Sequence, residues 1–169
     1  MWYVLQVKTG KEEEIRDKLN EYGFHALVPV HNKWVRSKGS WNKKKTIIFT
    51  GYVFVKLTYN AESYYRITSM EGVIKFLGEK NDPSTLTFIE VEWIRLLGEG
   101  GILEPTTVEV ENDHLKILKG ILLNFKSKIK SYDTRQRKAV FEITICGEKK
   151  EITLSIDVVN AQEQDTSKE

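Results

Sequence analysis

The stretch Ile47-Ile48-Phe49-Thr50-Gly51-Tyr52-Val53-Phe54-Val55-Lys56-Leu57 holds the strongest strand signal in the chain. Most of its residues are β-branched or aromatic, and Gly51 interrupts an otherwise largely apolar run. A run of this length is long enough to form a central strand. We therefore predict that an N-terminal sheet is built around residues 47–57.

The residues on either side of this run supply further strands and helices. Ile15, Leu19 and Tyr22 are spaced by four and three, which places them on one helical face. We predict, in chain order, a strand over 2–7, a helix over about 11–22, a short apolar strand over 26–30, a hairpin or polar excursion over 31–45, a helix over 62–70, a short strand over 72–78 and a helix from 82 to about 97. The last helix carries an apolar stripe of Ile89, Trp93, Leu96 and Leu97. Residues 1–97 are therefore predicted to form an α+β domain, an antiparallel sheet flanked by helices.

The composition changes after residue 97. The segment 98–105 is half glycine and proline, so residues 98–106 are predicted to form a linker. Beyond it, residues 140–145 and 152–156 alternate between apolar and polar positions, as strands do, with turn signals at 132–136 and 146–149. We predict an all-β domain over 107–163, a small β-barrel, followed by a disordered tail over 164–169.

Length and composition exclude several protein classes. The chain has 169 residues, of which 40% are hydrophobic and 30% charged, and no apolar run is long enough to cross a bilayer. It has one cysteine, so it forms no internal disulfide, and its start does not resemble a secretory signal. We therefore predict a globular, monomeric protein that lies in a reducing, cytoplasmic compartment. We also predict that it has no membrane partner.

The positive charge is clustered. Residues 1–97 carry 15 Lys/Arg and 11 Asp/Glu, and residues 98–169 carry 11 and 13. Within the second part, however, residues 116–138 hold eight basic side chains against Asp133 alone, and residues 33–45 contain no acid. Such clusters are typical of proteins that bind polyanions, although a solvated loop face is the alternative for each.

The sequence contains no recognisable catalytic constellation. It has no glycine-rich phosphate-binding loop of a common type, and His25, His31 and His114 lack the spacing of metal ligands. Cys146 ends an alternating strand and is interpreted as a small buried side chain. We predict that the protein is not an enzyme and that it has no metal site and no cofactor.

Two segments resemble a known family. Phe49-Thr50-Gly51-Tyr52-Val53-Phe54-Val55 resembles the Phe-Pro-Gly-Tyr-Val-Phe-Val signature of the NusG family of transcription elongation factors. Residues 113–159 resemble its KOW domain, with Gly120 as the loop glycine that follows the opening strand. The motifs occur in the family's order over nearly the whole chain. The basic second domain is most similar to the specialised antiterminator branch represented by LoaP.

This resemblance implies that residues 1–97 bind RNA polymerase. Phe49, Tyr52 and Phe54 are the expected apolar patch, with the alternative that all three are core residues. Thr68 and Ser69 lie where relatives touch the opposite side of the polymerase cleft. The resemblance also implies contacts with non-template or upstream DNA, for which the candidates are Lys8, Lys11, Arg16, Lys43 and Lys44.

The second domain is expected to bind structured nascent RNA, most simply a hairpin, through its backbone and shape. The candidate RNA-binding residues are Lys126, Lys128, Lys130, Tyr132, Arg135, Arg137 and Lys138. Trp34 and Trp41 could stack on an exposed base, but packing at the base of the hairpin is the favoured interpretation.

Three interpretations of function stay open from the sequence. The first is a specialised factor that promotes processive antitermination. The second is a general elongation or pausing factor whose KOW domain binds a ribosomal protein or the termination factor Rho. The third is a ribosome-associated KOW protein that binds RNA and not the polymerase.

Overall fold

The computed structural model describes residues 1–160 and divides the chain into two compact units. Unit 1 contains residues 1–29, 47–101 and 144–148, whereas the described part of unit 2 contains residues 30–46, 102–143 and 149–160. Each unit therefore draws on both of the domains predicted from sequence, whose boundaries stay a prediction. The predicted tail over 164–169 and the last residues of the predicted barrel, 161–163, lie outside the described residues.

The secondary structure alternates between strands and helices in the first hundred residues and is mainly strand thereafter. In chain order the elements are β1 (Trp2–Val7), α1 (Glu12–Glu21), β2 (His25–Leu27), β3 (Val30–Ser37), β4 (Ser40–Ile47), β5 (Tyr52–Lys56), α2 (Ala61–Thr68), β6 (Val73–Phe76), β7 (Gly78–Glu79), β8 (Asp82–Pro83), α3 (Phe88–Gly98), β9 (Thr106–Glu111), β10 (His114–Lys119), a 3-10 helix (Ile121–Lys128), β11 (Ile129–Asp133), β12 (Lys138–Ile145) and β13 (Glu148–Val158).

Unit 1 is built on a four-stranded sheet in the order β2-β5-β1-β6. Strand β5 lies inside the sheet and pairs antiparallel with β1, Val4 opposite Phe54, and with β2. Both partners of that cross-strand pair are fully buried, as are Leu5 and Val53. The prediction of a central strand in an α+β unit is confirmed, although the strand begins at Tyr52 and not at Ile47.

A turn at residues 49–52 explains the shorter strand. The Tyr52 amide donates to the Phe49 carbonyl at 3.1 Å, and Gly51 has φ +84°, a backbone conformation that favours glycine. The Gly51 amide donates to a carboxylate oxygen of Glu12 at 2.9 Å, and the Val7 amide donates to the Gly51 carbonyl at 2.8 Å. The glycine of the signature thus joins helix α1 to strand β1.

Helix α3 differs from its prediction in start and orientation. It begins at Phe88, where Thr87 and Glu90 form a capping box, while Asp82–Pro83 pairs with Gly78–Glu79 in a small hairpin. Ile94 and Leu97 are its buried apolar residues. Ile89 and Leu96, which the predicted stripe grouped with Leu97, are exposed.

Unit 2 contains a five-stranded sheet in the order β10-β9-β13-β12-β11, curled into a half-barrel. Strand β12 alternates between buried and half-buried positions over its eight residues, as the period-two pattern predicts. The rings of Phe125 and Phe141 meet in the core with centroids 4.7 Å apart. Gly120, at φ +127°, packs so closely on Thr106 that a Cβ atom would lie 2.7 Å from the threonine hydroxyl.

Three hairpins have two-residue turns in which both central residues have positive φ. These turns are Lys38-Gly39 between β3 and β4, Asn112-Asp113 between β9 and β10, and Cys146-Gly147 between β12 and β13. Positive φ at both positions is the signature of the type I′ turn, whose twist matches that of paired strands. The first of these turns confirms the hairpin predicted within residues 31–45.

Within residues 1–160, no helix has both the length and the apolar character needed to span a bilayer.

Candidate partner and nucleic-acid interfaces

The aromatic patch predicted on β5 is not on the surface. Phe54 is 0% exposed and Phe49 is 6% exposed, and their rings pack edge to face at 5.2 Å. The expectation of an exposed patch is therefore wrong for these two residues, because both faces of the sheet are covered at this point. Tyr52 is half-buried.

Thr68 and Ser69 lie at the end of helix α2. The Thr68 hydroxyl donates to the Tyr64 carbonyl at 2.7 Å, and the Ser69 hydroxyl donates to the Arg66 carbonyl at 3.1 Å. Thr68 also lines a groove of about 390 Å³. The other residues that line this groove are Tyr64, Ile74, Lys75, Phe76, Gly78, Glu79 and Lys80.

The exposed apolar residues of unit 1 were not assigned to a site from sequence. Phe88 is 83% exposed, Ile89 is 52% exposed and Leu96 is 40% exposed, and the seven-residue spacing of Ile89 and Leu96 puts those two on one side of α3. We call Phe88, Ile89 and Leu96 the α3 face. Large exposed apolar side chains that cluster in this way mark interaction surfaces. The sequence signal was present, since α3 is apolar nearly all round, but its periodicity did not show which side was covered.

The first three predicted DNA-binding residues lie close together along the chain, at the end of β1 and on α1. Lys8 is exposed. Lys11 forms an ion pair with Glu14 at 3.1 Å, and Arg16 contacts Glu13 and Asp17 at 3.5 and 3.0 Å. Carboxylates therefore offset two of these three cations. Their contact with DNA stays a prediction.

The other two, Lys43 and Lys44, lie on β4 in unit 2. The Lys43 ammonium donates to Glu104 at 2.9 Å, and this hydrogen bond holds the pKa of Lys43 above its ordinary value. Lys44 is exposed. The structure thus places these two lysines in the same unit as the predicted RNA-binding residues.

Charge is distributed unequally between the two units. The described part of unit 2 carries 16 Lys/Arg and 8 Asp/Glu, a formal net charge of +8. Unit 1 carries 9 and 13, a formal net charge of −4. A division of the sequence at residue 97 conceals this contrast, because the basic hairpin β3–β4 precedes that point in the chain.

The predicted RNA-binding residues have different environments. Lys126, Lys128 and Arg135 are exposed, and Lys138 is half-buried. Lys130 donates to Glu151 at 2.8 Å and to Glu142 at 3.1 Å, and these bonds hold its pKa above the ordinary value. Two carboxylates therefore offset the charge of Lys130, which makes it the weakest phosphate-binding candidate of the set.

A groove in unit 2 brings three of the predicted RNA-binding residues together. Lys126, Lys130 and Tyr132 line a cavity of about 670 Å³, and the Tyr132 hydroxyl donates to the Asp113 carbonyl at 2.9 Å. The remaining lining residues are Leu115, Lys116, Ile117, Ile129 and Ser131. Lys116 belongs to the basic cluster seen in the sequence but was not chosen as a site residue.

The structure gives both tryptophans of the hairpin a packing role. The Trp34 indole N–H donates to Asp157 at 2.7 Å, and the Trp34 amide donates to the Ser155 hydroxyl at 2.9 Å. The guanidinium of Arg137 lies 5.0 Å from the Trp34 ring centroid and 4.7 Å from that of Trp41. Arg137, predicted as an RNA contact, is therefore also a stacking partner.

The perturbed titratable groups do not suggest catalysis. Burial raises the pKa of the Cys146 thiol to about 11, so the thiol is protonated at neutral pH and is a weak nucleophile. Burial and the nearby Lys33 lower the pKa of His31 to about 4. Within residues 1–160, no group of three or more His, Cys, Asp or Glu side chains is arranged to hold a metal ion.

Glu90 is a buried carboxylate with a structural role. Burial raises its pKa, but hydrogen bonds outweigh that effect and hold the pKa below the ordinary value. The donors are the amides of Thr87, Cys146 and Gly147 and the Thr144 hydroxyl. This carboxylate holds the start of α3 and the β12–β13 turn, both within unit 1.

Comparison with known proteins identifies the family. The family model described as "Transcription termination factor nusG" matches residues 1–95. The transcription termination/antitermination protein NusG of Helicobacter pylori strain J99 is 24% identical over 95% of this chain and 96% of its own length. The NusG protein of Rickettsia bellii is 25% identical over 94% of this chain and 88% of its own length. The NusG protein of Halalkalibacterium halodurans is 24% identical over 90% of this chain and 93% of its own length.

A solved structure supports the same fold. The structure described as "Domain interaction in Thermotoga maritima NusG" matches with a TM-score of 0.56 and 22% identity, over 92% of this chain and 93% of that one. The family model covers more than half of the sequence, including the glycine turn at residues 49–52. The assignment to the family therefore does not depend on any one motif. The chain belongs to the NusG family of transcription termination and antitermination proteins.

Proposed function

We propose that this protein is a specialised NusG-type elongation factor, most similar to the LoaP branch, which binds RNA polymerase and promotes processive antitermination. In this proposal unit 2 binds structured nascent RNA and thereby recruits the factor to particular transcripts. The function is one of binding, and no chemical step is assigned to any residue.

The observation that carries the proposal is the concentration of basic charge in unit 2. A formal charge of +8 within the described part of one compact unit is far from the mixed surface of an ordinary protein-binding domain. Lys126 and Arg135 are exposed, and within residues 1–160 neither forms an ion pair with a carboxylate. Phosphate contacts from such side chains supply affinity, and the shape of an A-form stem supplies selectivity.

The α3 face is the polymerase-binding surface in this proposal. It replaces the buried Phe49 and Phe54, while the half-buried Tyr52 and the polar Thr68 and Ser69 remain candidates. An apolar face centred on an aromatic residue is the usual content of a protein-binding hot spot. Binding that favours the elongating polymerase over the paused one would suppress pausing and termination, since a ligand shifts an equilibrium by its differential affinity.

Lys8, Lys11 and Arg16 remain proposed contacts with upstream or non-template DNA. Lys8 is the strongest of the three because Lys11 and Arg16 already have acidic partners. Each phosphate contact would steepen the salt dependence of DNA binding by about one unit on a log–log scale.

One observation favours a general elongation factor as the second candidate. Leu123 is 43% exposed on the 3-10 helix, two positions after the half-buried Ile121. An exposed apolar residue of this kind suits contact with a ribosomal protein or Rho better than contact with RNA. In that case Leu123→Ser would abolish partner binding, and charge reversal in unit 2 would have little effect.

The test is transcription by a bacterial RNA polymerase across an intrinsic terminator, with and without the upstream leader. The full chain is compared with the double variant Lys126→Glu/Arg135→Glu, because truncation at residue 97 would separate hairpin β3–β4 from the rest of its unit. We expect readthrough that needs the leader and is lost in the double variant.

The control variant is Phe88→Ala, which should lose the leader-dependent readthrough while RNA binding is retained. Readthrough that does not need the leader would overturn the proposal that RNA recruits the factor, but it would remain consistent with polymerase binding. An absence of readthrough and of polymerase binding would overturn the whole proposal.

A further inference from the structure

One face of hairpin β3–β4 is covered with alternating aromatic and cationic side chains. Alternation places Trp34 and Arg36 on the same face of β3, and Trp41 and Lys43 on the same face of β4. The Arg36 guanidinium lies 5.9 Å from the Trp41 ring centroid, and the Lys43 ammonium lies 5.3 Å from that of Trp34. These contacts show that both strands present their aromatic residues to the same side of the hairpin.

Arg137 reaches this face from the turn between β11 and β12. Its guanidinium lies 5.0 Å from the Trp34 ring centroid and 4.7 Å from the Trp41 ring centroid, so it contacts both rings. Three cations and two indoles therefore form one continuous set of contacts within unit 2, which we call the Trp–Arg ladder. Its members are Arg36, Trp41, Arg137, Trp34 and Lys43.

The backbone at Arg137 is held in an uncommon conformation. Its φ is +54°, in the left-handed region that side chains with a Cβ rarely adopt. The Ile156 amide donates to the Arg137 carbonyl at 2.9 Å, and the Gln136 amide donates to Asp133 at 3.0 Å, which fixes the turn. A strained residue that the surrounding structure over-determines is a reason to look for function at that side chain.

Polar bonds attach the hairpin to the sheet of unit 2 on either side of the ladder. Trp34 donates to Asp157 and Ser155, and Glu104 accepts from Lys43 and Asn32. The carboxylates of Asp157 and Glu104 are thereby engaged by the hairpin. Arg137 forms no ion pair with any carboxylate in the described part of the chain.

We propose that Arg137, held between Trp34 and Trp41, is a binding site for a phosphodiester group of a nucleic-acid backbone, and that hairpin β3–β4 and the β11–β12 turn form a single nucleic-acid surface. The inference rests on the proposed RNA-binding function and deepens it. It also joins two sets of residues that the sequence analysis assigned to different ligands. Lys43 and Lys44 were predicted to bind DNA, and Arg135, Arg137 and Lys138 were predicted to bind RNA.

The chemistry of the guanidinium supports a phosphate ligand. A guanidinium that stacks on aromatic rings through its faces keeps its N–H donors in its own plane, where they can form paired hydrogen bonds to phosphate oxygens. Because the Arg137 guanidinium already contacts both indole rings, less side-chain freedom is lost on binding than for a free arginine. Lysine has a compact ammonium and provides neither the stacking plane nor the paired donors.

The surroundings add charge of the same sign. Lys33, Arg36, Lys38 and Lys44 are exposed on the hairpin, whose residues 30–46 contain no Asp or Glu. Arg135 is exposed on the neighbouring turn. An acidic protein segment could satisfy the charge, but many cations distributed over two strands and a turn suit the repeated phosphates of a nucleic-acid strand better.

The experiment measures the affinity of the full chain for a fluorescently labelled leader RNA hairpin, and for a DNA hairpin of the same sequence, at several salt concentrations. The variants are Arg137→Gly, which removes the guanidinium at a φ that suits glycine, and Arg137→Lys, which retains the charge. Lys18→Gln on α1 is the control, because it changes the net charge equally in unit 1.

We expect Arg137→Gly to lose roughly tenfold in RNA affinity and to lower the salt slope by about one, with an unchanged or higher unfolding midpoint. Arg137→Lys should recover little of that affinity, and Lys18→Gln should bind as the wild type does. A loss confined to the DNA hairpin would support the phosphodiester site and assign it to DNA.

Two results would overturn the inference alone. One is wild-type affinity in Arg137→Gly, and the other is full recovery in Arg137→Lys, which would show that charge suffices without the stacked plane. A wild-type chain that binds no hairpin above a scrambled single strand would instead overturn RNA recruitment in the proposed function. An acidic peptide that competes equally with RNA would reassign the surface to protein and contradict the inference.

Discussion

Unit 1 and unit 2 use charge in opposite ways. In unit 1 the net charge is −4, and the buried carboxylates of Glu12 and Glu90 accept bonds from backbone amides and hold turns in place. In the described part of unit 2 the net charge is +8, and most of its cations lie on the surface. Buried carboxylates thus hold turns in unit 1, and exposed cations dominate the surface of the described part of unit 2.

The two units also differ in where they expose apolar groups. Unit 1 exposes the α3 face, with Phe88 outermost, whereas unit 2 places its tryptophans under cationic side chains. In the proposed function, the acidic unit docks through apolar contacts and the basic unit binds phosphates. The following predictions test whether the two can be separated.

The largest effect is expected where unit 2 has no room for a side chain. In Gly120→Ala the new Cβ would lie 2.7 Å from the Thr106 hydroxyl and 2.9 Å from its Cα, at φ +127°. We expect the barrel to lose about 2–4 kcal/mol of stability from overpacking and backbone strain. Hydrogen exchange measured at the amides of β9 and β13 would report the loss, while exchange in β1 and β5 stays slow.

Gly39→Ala is the matched control, since Gly39 also has positive φ but nothing within 4 Å of an added Cβ. It should cost about 1 kcal/mol, from backbone strain alone. Equal losses in the two variants would show that close packing at Gly120 does not stabilise unit 2.

The second effect concerns acid. His31 is 5% exposed, its Nδ1 has no hydrogen-bond partner among residues 1–160, and its pKa is lowered to about 4. The unfolded chain takes up a proton below pH 6.5 and the folded chain only near pH 4, so stability is lost as the pH falls between these values. The loss attributable to His31 is about 3 kcal/mol at most, by linkage.

Urea unfolding at pH 7, 6, 5 and 4 measures this loss. His31→Leu should be less sensitive to pH than the wild type over that interval, because it removes the titrating group. Parallel pH profiles for the two proteins would contradict a buried neutral histidine.

The third effect separates polymerase binding from fold stability. Phe88→Ala removes a ring that makes little contact with the rest of unit 1, so the folded state should be unaffected. If the α3 face binds RNA polymerase, affinity should fall by roughly 2 kcal/mol, about thirtyfold, as for a hot-spot aromatic residue. Tyr22→Ala, at another exposed aromatic residue, should bind as the wild type does.

A pull-down titration with core polymerase would measure both affinities. The same loss in both variants would show that the effect is general and that α3 is not the docking face.

The smallest effect concerns single cations of unit 2. Arg135→Gln should lower the salt slope of RNA binding by about one, with a modest loss of affinity at low salt. Lys130→Gln should change the slope less, because Glu142 and Glu151 already offset Lys130. Equal changes in slope would indicate that the acid partners of Lys130 do not compete with RNA.

Much of the fold could be predicted from the sequence because local pattern decided it. The period-two run of β12, the apolar run at 52–56 and the acidic start of α1 each specify an element without help from distant residues. The start of α3 was missed because Asp82-Pro83 resembles a helix beginning, whereas the Thr87–Glu90 capping box sets it. The exposed side of α3 was missed because its apolar residues occur on every side of the helix and define no single periodic face.

The candidate sites were harder to predict because they depend on contacts distant in sequence. Phe49 and Phe54 lie in a signature that suggested a surface, but both sides of that sheet are covered. Arg137 and Trp41 are 96 positions apart, so no local pattern could place the guanidinium over the indole. The ion pairs of Lys130 with Glu142 and Glu151 could not be predicted for the same reason, because their partners are distant in sequence.

The most direct test of the account is the affinity of the full chain for a leader RNA hairpin, relative to a scrambled single strand, over a range of salt concentrations. The account predicts a clear preference for the hairpin, a steep salt dependence, and loss of both in Lys126→Glu/Arg135→Glu, while polymerase binding persists. Equal affinity for both RNAs, or an unchanged double variant, would contradict the claim that unit 2 is a surface for structured RNA.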